Sequence, residues 1–147
     1  MKRSISGFSL LELMIVLVIV ALLISIALPT YRSQVQKGNR AVAKVALTEV
    51  VSRQESFFAD RKGYATSLSA LGYSADTVFA CNDGGLTCTA ATGIYSLTFA
   101  AGATTAAFTV QASPINIQAT DSCGTLSVTS IGVKVQTGTL GSLCWKS

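Results

Sequence analysis

Residues 7–28 read GFSLLELMIVLVIVALLISIAL, and this stretch decides how the rest of the chain is organised. From Phe8 onward the stretch is apolar, with Glu12 as its single charge. As a helix rising about 1.5 Å per residue, it would be roughly 31 Å long, which matches the hydrocarbon core of a bilayer. A carboxylate retained in such a span is costly. Glu12 is therefore a candidate functional residue, and it requires a partner.

The residues that precede the span allow two interpretations. Lys2 and Arg3 predict an N-terminus held in the cytoplasm and a chain sent outward. A secretory signal peptide would be cut after the small-x-small triplet SIA at residues 25–27. Two features argue against a signal peptide, namely the charge of Glu12 and an apolar run longer than the usual 7–15 residues. They favour the second interpretation, a shorter leader cut at Gly7 and an apolar helix that stays in the mature protein.

The spacing of Gly7, Phe8, Ser9 and Glu12 directly before about twenty apolar residues and Pro29 resembles the class III signal of type IV pilins. The resemblance implies that a prepilin peptidase cleaves between Gly7 and Phe8. It also implies that the new N-terminus of Phe8 is N-methylated.

The same resemblance implies three parts of the chain. Residues 1–7 would be the leader, and residues 8–30 the transmembrane and filament-core half of a long helix. Residues 31–147 would form a periplasmic or extracellular globular head.

Cleavage would give Glu12 its partner, because it creates an ammonium group on Phe8. The two residues are spaced i and i+4, so they can meet within one helix. Glu12 of one subunit can equally meet Phe8 of a neighbour shifted along the axis. Breaking a buried pair of this kind costs about 3–5 kcal/mol. We therefore expect Glu12 and Phe8 to act in assembly between subunits.

One long helix is predicted from Phe8 to about Phe58, kinked at Pro29 and softened at Gly38. The charged residues and the glycine within residues 60–64 predict the end of this helix. Polar residues recur every four positions from Arg32 to Ser52. An apolar stripe for a globular head to cover is formed by Val35, Val42, Val45, Ala46, Val50 and Phe57.

Alternating apolar residues predict four strands in the second half of the chain. They are residues 95–99, 106–112, 124–129 and 131–135. One face of the resulting antiparallel meander would pack on the helix, and the polar link 113–122 would be an exposed loop. The predicted fold is α+β. By resemblance it is the type IV pilin fold, a long kinked helix packed on a four-stranded antiparallel sheet.

Four cysteines, Cys81, Cys88, Cys123 and Cys144, favour disulfides in an oxidising compartment. Three pairings are possible. We favour Cys81–Cys88 and Cys123–Cys144, because each is local and closes a loop beside a strand region. A zinc site is disfavoured, since the chain has neither histidine nor a C-x-x-C pair.

The composition argues against an enzyme, because the chain has no histidine to serve as a base and its carboxylates are scattered. No metal or cofactor is expected.

The net charge is +4, and loss of Lys2 and Arg3 leaves nine basic side chains against seven acidic ones. That bias is too small to indicate nucleic acid by itself. The basic candidates for a DNA-binding pilin are Lys134, Lys146, Arg61 and Lys62. Trp145 is expected to pack.

Segments 54–72 and 123–145 resemble a pilin subgroup that includes minor pilins. The implied function is a structural subunit of a type IV pilus, most like a minor pilin needed for assembly in adhesion, twitching motility or DNA uptake. A major pilin, a pseudopilin of type II secretion and a DNA-binding pilin are the alternatives.

The implied partners are other pilin subunits, the prepilin peptidase, and an inner-membrane platform with its ATPase. The implied location is the bacterial inner membrane, crossed once with the N-terminus in the cytoplasm. After assembly it would be the cell-surface pilus.

Overall fold

The computed structural model describes residues 8–73, 79–82, 87–90 and 93–146, and for 79–82 and 87–90 only the backbone is described. The leader and Gly7 lie outside the described residues. The chain divides into two compact units, the first ending at Lys37 and the second beginning at Gly38.

A single helix, α1, spans Leu10–Arg61 and contains Pro29. Its first part is long and apolar enough to cross a membrane, with a mean hydropathy of 3.0 over 18 residues. The helix ends where Lys62 takes a positive φ of 57°. The predicted helix is thus confirmed to within three residues at each end, whereas the kink at Pro29 and the three-part division of the chain stay predictions.

The second unit holds a six-stranded antiparallel sheet whose strands follow one another in chain order. The strands are β1 (Phe79–Asn82), β2 (Thr87–Ala90), β3 (Tyr95–Phe99), β4 (Thr109–Pro114), β5 (Leu126–Thr129) and β6 (Lys134–Gln136). Short 3-10 helices lie at Ser69–Leu71, Asn116–Gln118 and Gly141–Cys144. Each strand therefore pairs with its neighbour in sequence, as a meander does.

The predicted long helix and antiparallel sheet are confirmed, and all four predicted strands are present as β3 to β6. The first of them has the predicted bounds, and the others differ by up to three residues at either end. Two further strands, β1 and β2, extend the sheet beyond the predicted four. These strands are only four residues long and contain small residues, so they lack the alternating large apolar side chains that mark a strand in sequence.

Alternation along the strands separates a core face from an outer face. The core face buries Tyr95, Leu97, Val110, Ala112, Leu126 and Val128 with Ala43, Ala46, Leu47 and Val50 of α1. The outer face carries half-buried, uncharged side chains, namely Ser96, Thr98, Thr109, Gln111, Ser113, Ser127 and Thr129. On β6, Val135 and Lys134 are both exposed, and Lys134 is the register partner of the buried Val128. Lys134 thus lies on the core side.

The predicted helix stripe is partly wrong. Ala46 and Val50 are buried and Phe57 packs against the core, but Val35, Val42 and Val45 are exposed. At about 100° per residue, the three exposed valines lie roughly 70–150° away from the centre of the buried face. The second unit therefore buries a narrower stripe of α1 than the one predicted from the spacing of its apolar residues.

The expectation of an exposed loop at 113–122 is partly wrong, although Ile117 and four other residues of the link are exposed. This link includes a 3-10 helix, and it buries two polar side chains, Gln118 and Asp121. Hydrogen bonds satisfy both of them, which allows polar groups to lie inside the protein.

Candidate functional site

The first unit presents an apolar helix surface that the described residues leave uncovered. The large apolar side chains between Leu10 and Leu28 are 42 % to 78 % exposed. Phe8 lies just before α1, and Glu12 lies in its first turn. A helix that is apolar on all sides requires lipid or other helices around it. The first unit is therefore suited to a membrane or a helical bundle.

A buried ion pair joins α1 to the link between β4 and β5. Arg40 donates from Nε to Asp121 Oδ2 at 2.9 Å and from Nη2 to Oδ1. The Arg40 side chain is 12 % exposed and that of Asp121 is fully buried. Burial alone would raise the pKa of Asp121, but hydrogen bonds from Arg40, the Cys123 N–H and Gln118 outweigh it and lower the pKa. Asp121 therefore stays ionised at neutral pH.

Three further side chains complete this cluster. Gln118 donates from Nε2 to Asp121 Oδ2 at 2.9 Å and accepts a hydrogen bond at Oε1 from Asn39 of α1. The Tyr95 hydroxyl on β3 lies 3.3 Å from Asp121 Oδ2. Burial raises the pKa of Tyr95 to about 12, so the hydroxyl keeps its proton as a donor.

The disulfide Cys123–Cys144 is present, as predicted, with its Cα atoms 5.7 Å apart. The backbones of Cys81 and Cys88 are register partners on β1 and β2. Their side chains lie outside the described residues, so the Cys81–Cys88 bond stays a prediction.

A basic and aromatic surface is formed by Lys44, Lys134, Trp145 and Lys146. The ammonium of Lys134 lies 5.5 Å from the centre of the Trp145 ring. Partial burial lowers the pKa of Lys44, and repulsion from Arg40 and Lys134 adds to this shift. The charges of Lys44 and Lys134 thus repel each other, and the exposed Lys146 follows Trp145 directly. We call these four residues the basic–aromatic surface.

The other two basic candidates lie elsewhere. Arg61 ends α1 with its guanidinium 5.1 Å from the Phe57 ring centre, and Lys62 follows it. Along a helix, Lys44 and Arg61 are separated by about 25 Å. Sequence reasoning missed Lys44, because the repeat of polar residues on α1 marked it as ordinary surface. The interaction of Lys134 with Lys44 depends on the position of Lys134 on the core side of the sheet, which the sequence does not show.

Trp145 packs against the edge of the core while lying under Lys134, and its indole nitrogen is buried. Within the described ranges, no group of three or more His, Cys, Asp or Glu side chains could hold a metal ion.

Two family models match this chain. Residues 2–28 match a prokaryotic N-terminal methylation motif. Residues 29–127 match a family described as type IV minor pilin ComP, DNA uptake sequence receptor. The two matches together run through the apolar helix and most of the second unit.

Curated relatives are similar over about half of this chain. The type IV major pilin protein PilA of Myxococcus xanthus is 32% identical over 68 residues, which are 46% of this chain and 31% of that protein. The type IV wide pilus major component PilA4 of Thermus thermophilus is 32% identical over 69 residues, 47% of this chain and 53% of that protein. The matches thus span about a third and about half of those relatives' lengths.

A solved type IV pilin from Shewanella oneidensis is 25% identical, with a TM-score of 0.47, and the match covers 68% of this chain and 90% of that one. The family match at residues 29–127 extends over well more than half of the chain and confirms the resemblance to type IV pilins. This chain belongs to the family of type IV minor pilins described as ComP, DNA uptake sequence receptor.

Proposed function

We propose that this chain is a minor subunit of a type IV pilus. The uncovered apolar surface between Leu10 and Leu28 supports this proposal most directly. Before assembly the helix crosses the inner membrane once, with the N-terminus in the cytoplasm. After a prepilin peptidase cuts between Gly7 and Phe8, the Phe8 amine is methylated and the helix enters a bundle with other pilins.

Transfer from lipid to bundle gains little from the hydrophobic effect, because lipid tails are as apolar as leucine side chains. An inner-membrane platform and its ATPase therefore supply the work. The charge of Glu12 then selects the register, since each carboxylate reaches the Phe8 ammonium of an adjoining subunit.

Glu12→Val tests this assembly step. The variant should insert into the membrane normally but be lost from sheared fibres, because a stranded Phe8 ammonium costs about 3–5 kcal/mol. Leu11→Val is the matched control, since it alters the same helix turn without altering charge. Immunoblots of membrane and fibre fractions provide the measurement. Equal amounts of both variants in fibres would contradict the role of Glu12.

The mass and N-terminal sequence of the chain from sheared fibres test the processing. A chain that begins at a methylated Phe8 is the expected result, whereas one that begins near Leu28 would show that the helix is discarded. Counting this subunit against the total pilin in the fibres separates a minor from a major component.

We further propose that the basic–aromatic surface contacts DNA during uptake. The family description names a DNA uptake sequence receptor. Lys44, Lys134 and Lys146 supply cations for phosphates around the Trp145 ring, and such contacts release counterions. The DNA-binding role comes second to the pilus role, because three lysines account for only part of a duplex footprint.

The salt dependence of DNA binding tests this site with two matched pairs of substitutions. Lys44→Gln with Lys134→Gln should weaken duplex binding and reduce the salt slope by about 1.8, which corresponds to two lost phosphate contacts. Arg61→Gln with Lys62→Gln removes the same charge about 25 Å away and should change the slope little. An equal or larger effect of the second pair would exclude the basic–aromatic surface as the DNA site.

A further inference from the structure

The second unit begins with residues that are tied to a distant part of the chain. Asn39 and Arg40 follow Gly38 on α1, and they bond to Gln118 and Asp121, which lie 79 and 81 positions further on. A pull applied to α1 at Lys37 therefore loads these bonds ahead of the buried apolar contacts that begin at Ala43.

The bonds of this cluster are directional and charged. Arg40 binds both oxygens of Asp121, and the hydrogen bond from Asn39 to Gln118 Oε1, at 2.9 Å, runs beside this pair. Two-point pairing of guanidinium and carboxylate is stronger than a neutral hydrogen bond and fixes the geometry. Because Gln118 and Asp121 are buried and the Arg40 side chain is only 12 % exposed, water competes little for these bonds.

The apolar contacts that follow along α1 are different in kind. Ala43, Leu47 and Val50 are fully buried against the sheet, but the hydrophobic effect has no direction. Apolar side chains therefore resist separation of the helix more than they resist sliding along its axis. Further along α1, about four turns away, Arg53 donates to the Leu71 carbonyl and Gln54 bonds the backbone of Ala65.

Asp121 can transmit a force from α1 to two other parts of the second unit, the disulfide loop and strand β3. The Cys123 N–H donates to Oδ1 at 3.2 Å, and Cys123 is bonded to Cys144. The Tyr95 hydroxyl reaches Oδ2 from β3. The carboxylate thus links the helix to a sheet strand and to the disulfide loop.

We propose that Asn39, Arg40, Gln118 and Asp121 form a clamp that carries axial load from α1 into the sheet. This role rests on the proposed function, because a fibre subunit is pulled through its helix. The clamp keeps α1 from sliding off the core when tension is applied, and its contribution depends on the direction of the pull.

Constant-force unfolding of the full chain in detergent micelles tests the clamp in two pulling geometries. Handles are attached through clickable amino acids, either at Lys37 and Lys146 or at Arg61 and Lys146. In the first geometry the clamp is loaded first, whereas in the second the helix is pulled from its far end. Asp121→Asn should raise the unfolding rate on the order of tenfold in the first geometry, because it strands the Arg40 charge. In the second geometry the increase should be much smaller.

Two more variants keep the test decisive. Asn39→Ala removes one clamp bond and leaves the ion pair, so it should show the same directional bias at smaller amplitude, even if Asp121→Asn does not fold. Glu49→Gln breaks the exposed Arg53–Glu49 pair on the same helix and should change neither geometry. Equal acceleration in both geometries, or none in the first, would overturn the clamp. Because the pull acts on single chains, a failure of fibre assembly would not alter the result.

Discussion

At the scale of single residues, Asp121 shows how a carboxylate becomes stable inside a small domain. Desolvation destabilises its charged form, but hydrogen bonds from Arg40, Gln118 and the Cys123 N–H stabilise that form by more than burial destabilises it. In the sequence Asp121 is one of several scattered acids in a polar link. Its role could not be predicted, because it depends on partners 81 residues earlier on α1.

The lowered pKa of Asp121 predicts an acid-sensitive stability. In the unfolded chain an aspartate titrates near the ordinary value of 3.8, and in the folded chain it titrates lower. Its contribution is therefore complete above 3.8 and is lost as the pH falls through the folded pKa. Thermal melts between pH 7 and pH 2 measure this loss.

Asp121→Asn provides the comparison for this prediction. It should destabilise the protein by about 3–5 kcal/mol at neutral pH, because Arg40 is left buried without its partner. The acid-dependent loss that remains in the variant should also be smaller. Asp60→Asn, at an exposed position near the end of α1, should leave the pH profile unchanged. A variant whose profile parallels that of the unmodified chain would contradict the assignment to Asp121.

At the scale of elements, α1 has two apolar faces in the second unit. One face, with Ala43 and Leu47, is buried against the sheet, and the other, with Val42 and Val45, is exposed. Periodicity in the sequence detects apolar residues but not the width of the surface that covers them. For this reason the predicted stripe contained residues of both faces.

Alanine substitutions on the two faces should therefore differ in effect. Leu47→Ala should lower the free energy of unfolding by about 2–5 kcal/mol, because it opens a cavity in the core. Val45→Ala removes an apolar side chain that is 67 % exposed and should change the stability by no more than about 0.5 kcal/mol. Denaturant unfolding of the full chain in detergent, followed by tryptophan fluorescence, gives both values. Similar losses for the two variants would mean that the helix faces are assigned incorrectly.

At the scale of the whole molecule, the sequence predicted the architecture better than the candidate sites. The hydrophobic run, the helix bounds and the four alternating strands follow from local patterns that a single sequence contains. β1 and β2 are strands because they pair with a neighbour, which composition alone does not indicate. The basic–aromatic surface likewise depends on the pairing of β6 with β5, which places Lys134 on the same side of the sheet as the buried Val128.

The disulfide Cys123–Cys144 should stabilise the second unit as a whole. It joins residues 21 positions apart, which corresponds to about 3 kcal/mol in the chain-entropy model. Replacing both residues by alanine should lower the melting temperature while α1 keeps its helical signal in circular dichroism. Using substitutions rather than a reductant leaves Cys81 and Cys88 untouched. Ser142→Ala, an exposed change within the same loop, is the control, and equal melting of the two variants would contradict the prediction.

The order of the strands has a consequence for the way in which the chain acquires its structure. Since every strand pairs with the next one along the chain, the sheet can form by successive addition of local hairpins, which fold quickly. The bonds of Arg40 cannot form until Asp121 has been synthesised, 81 residues later. Arg40, which is synthesised before every strand of the sheet, therefore acquires its buried partner only after β1 to β4 have been made.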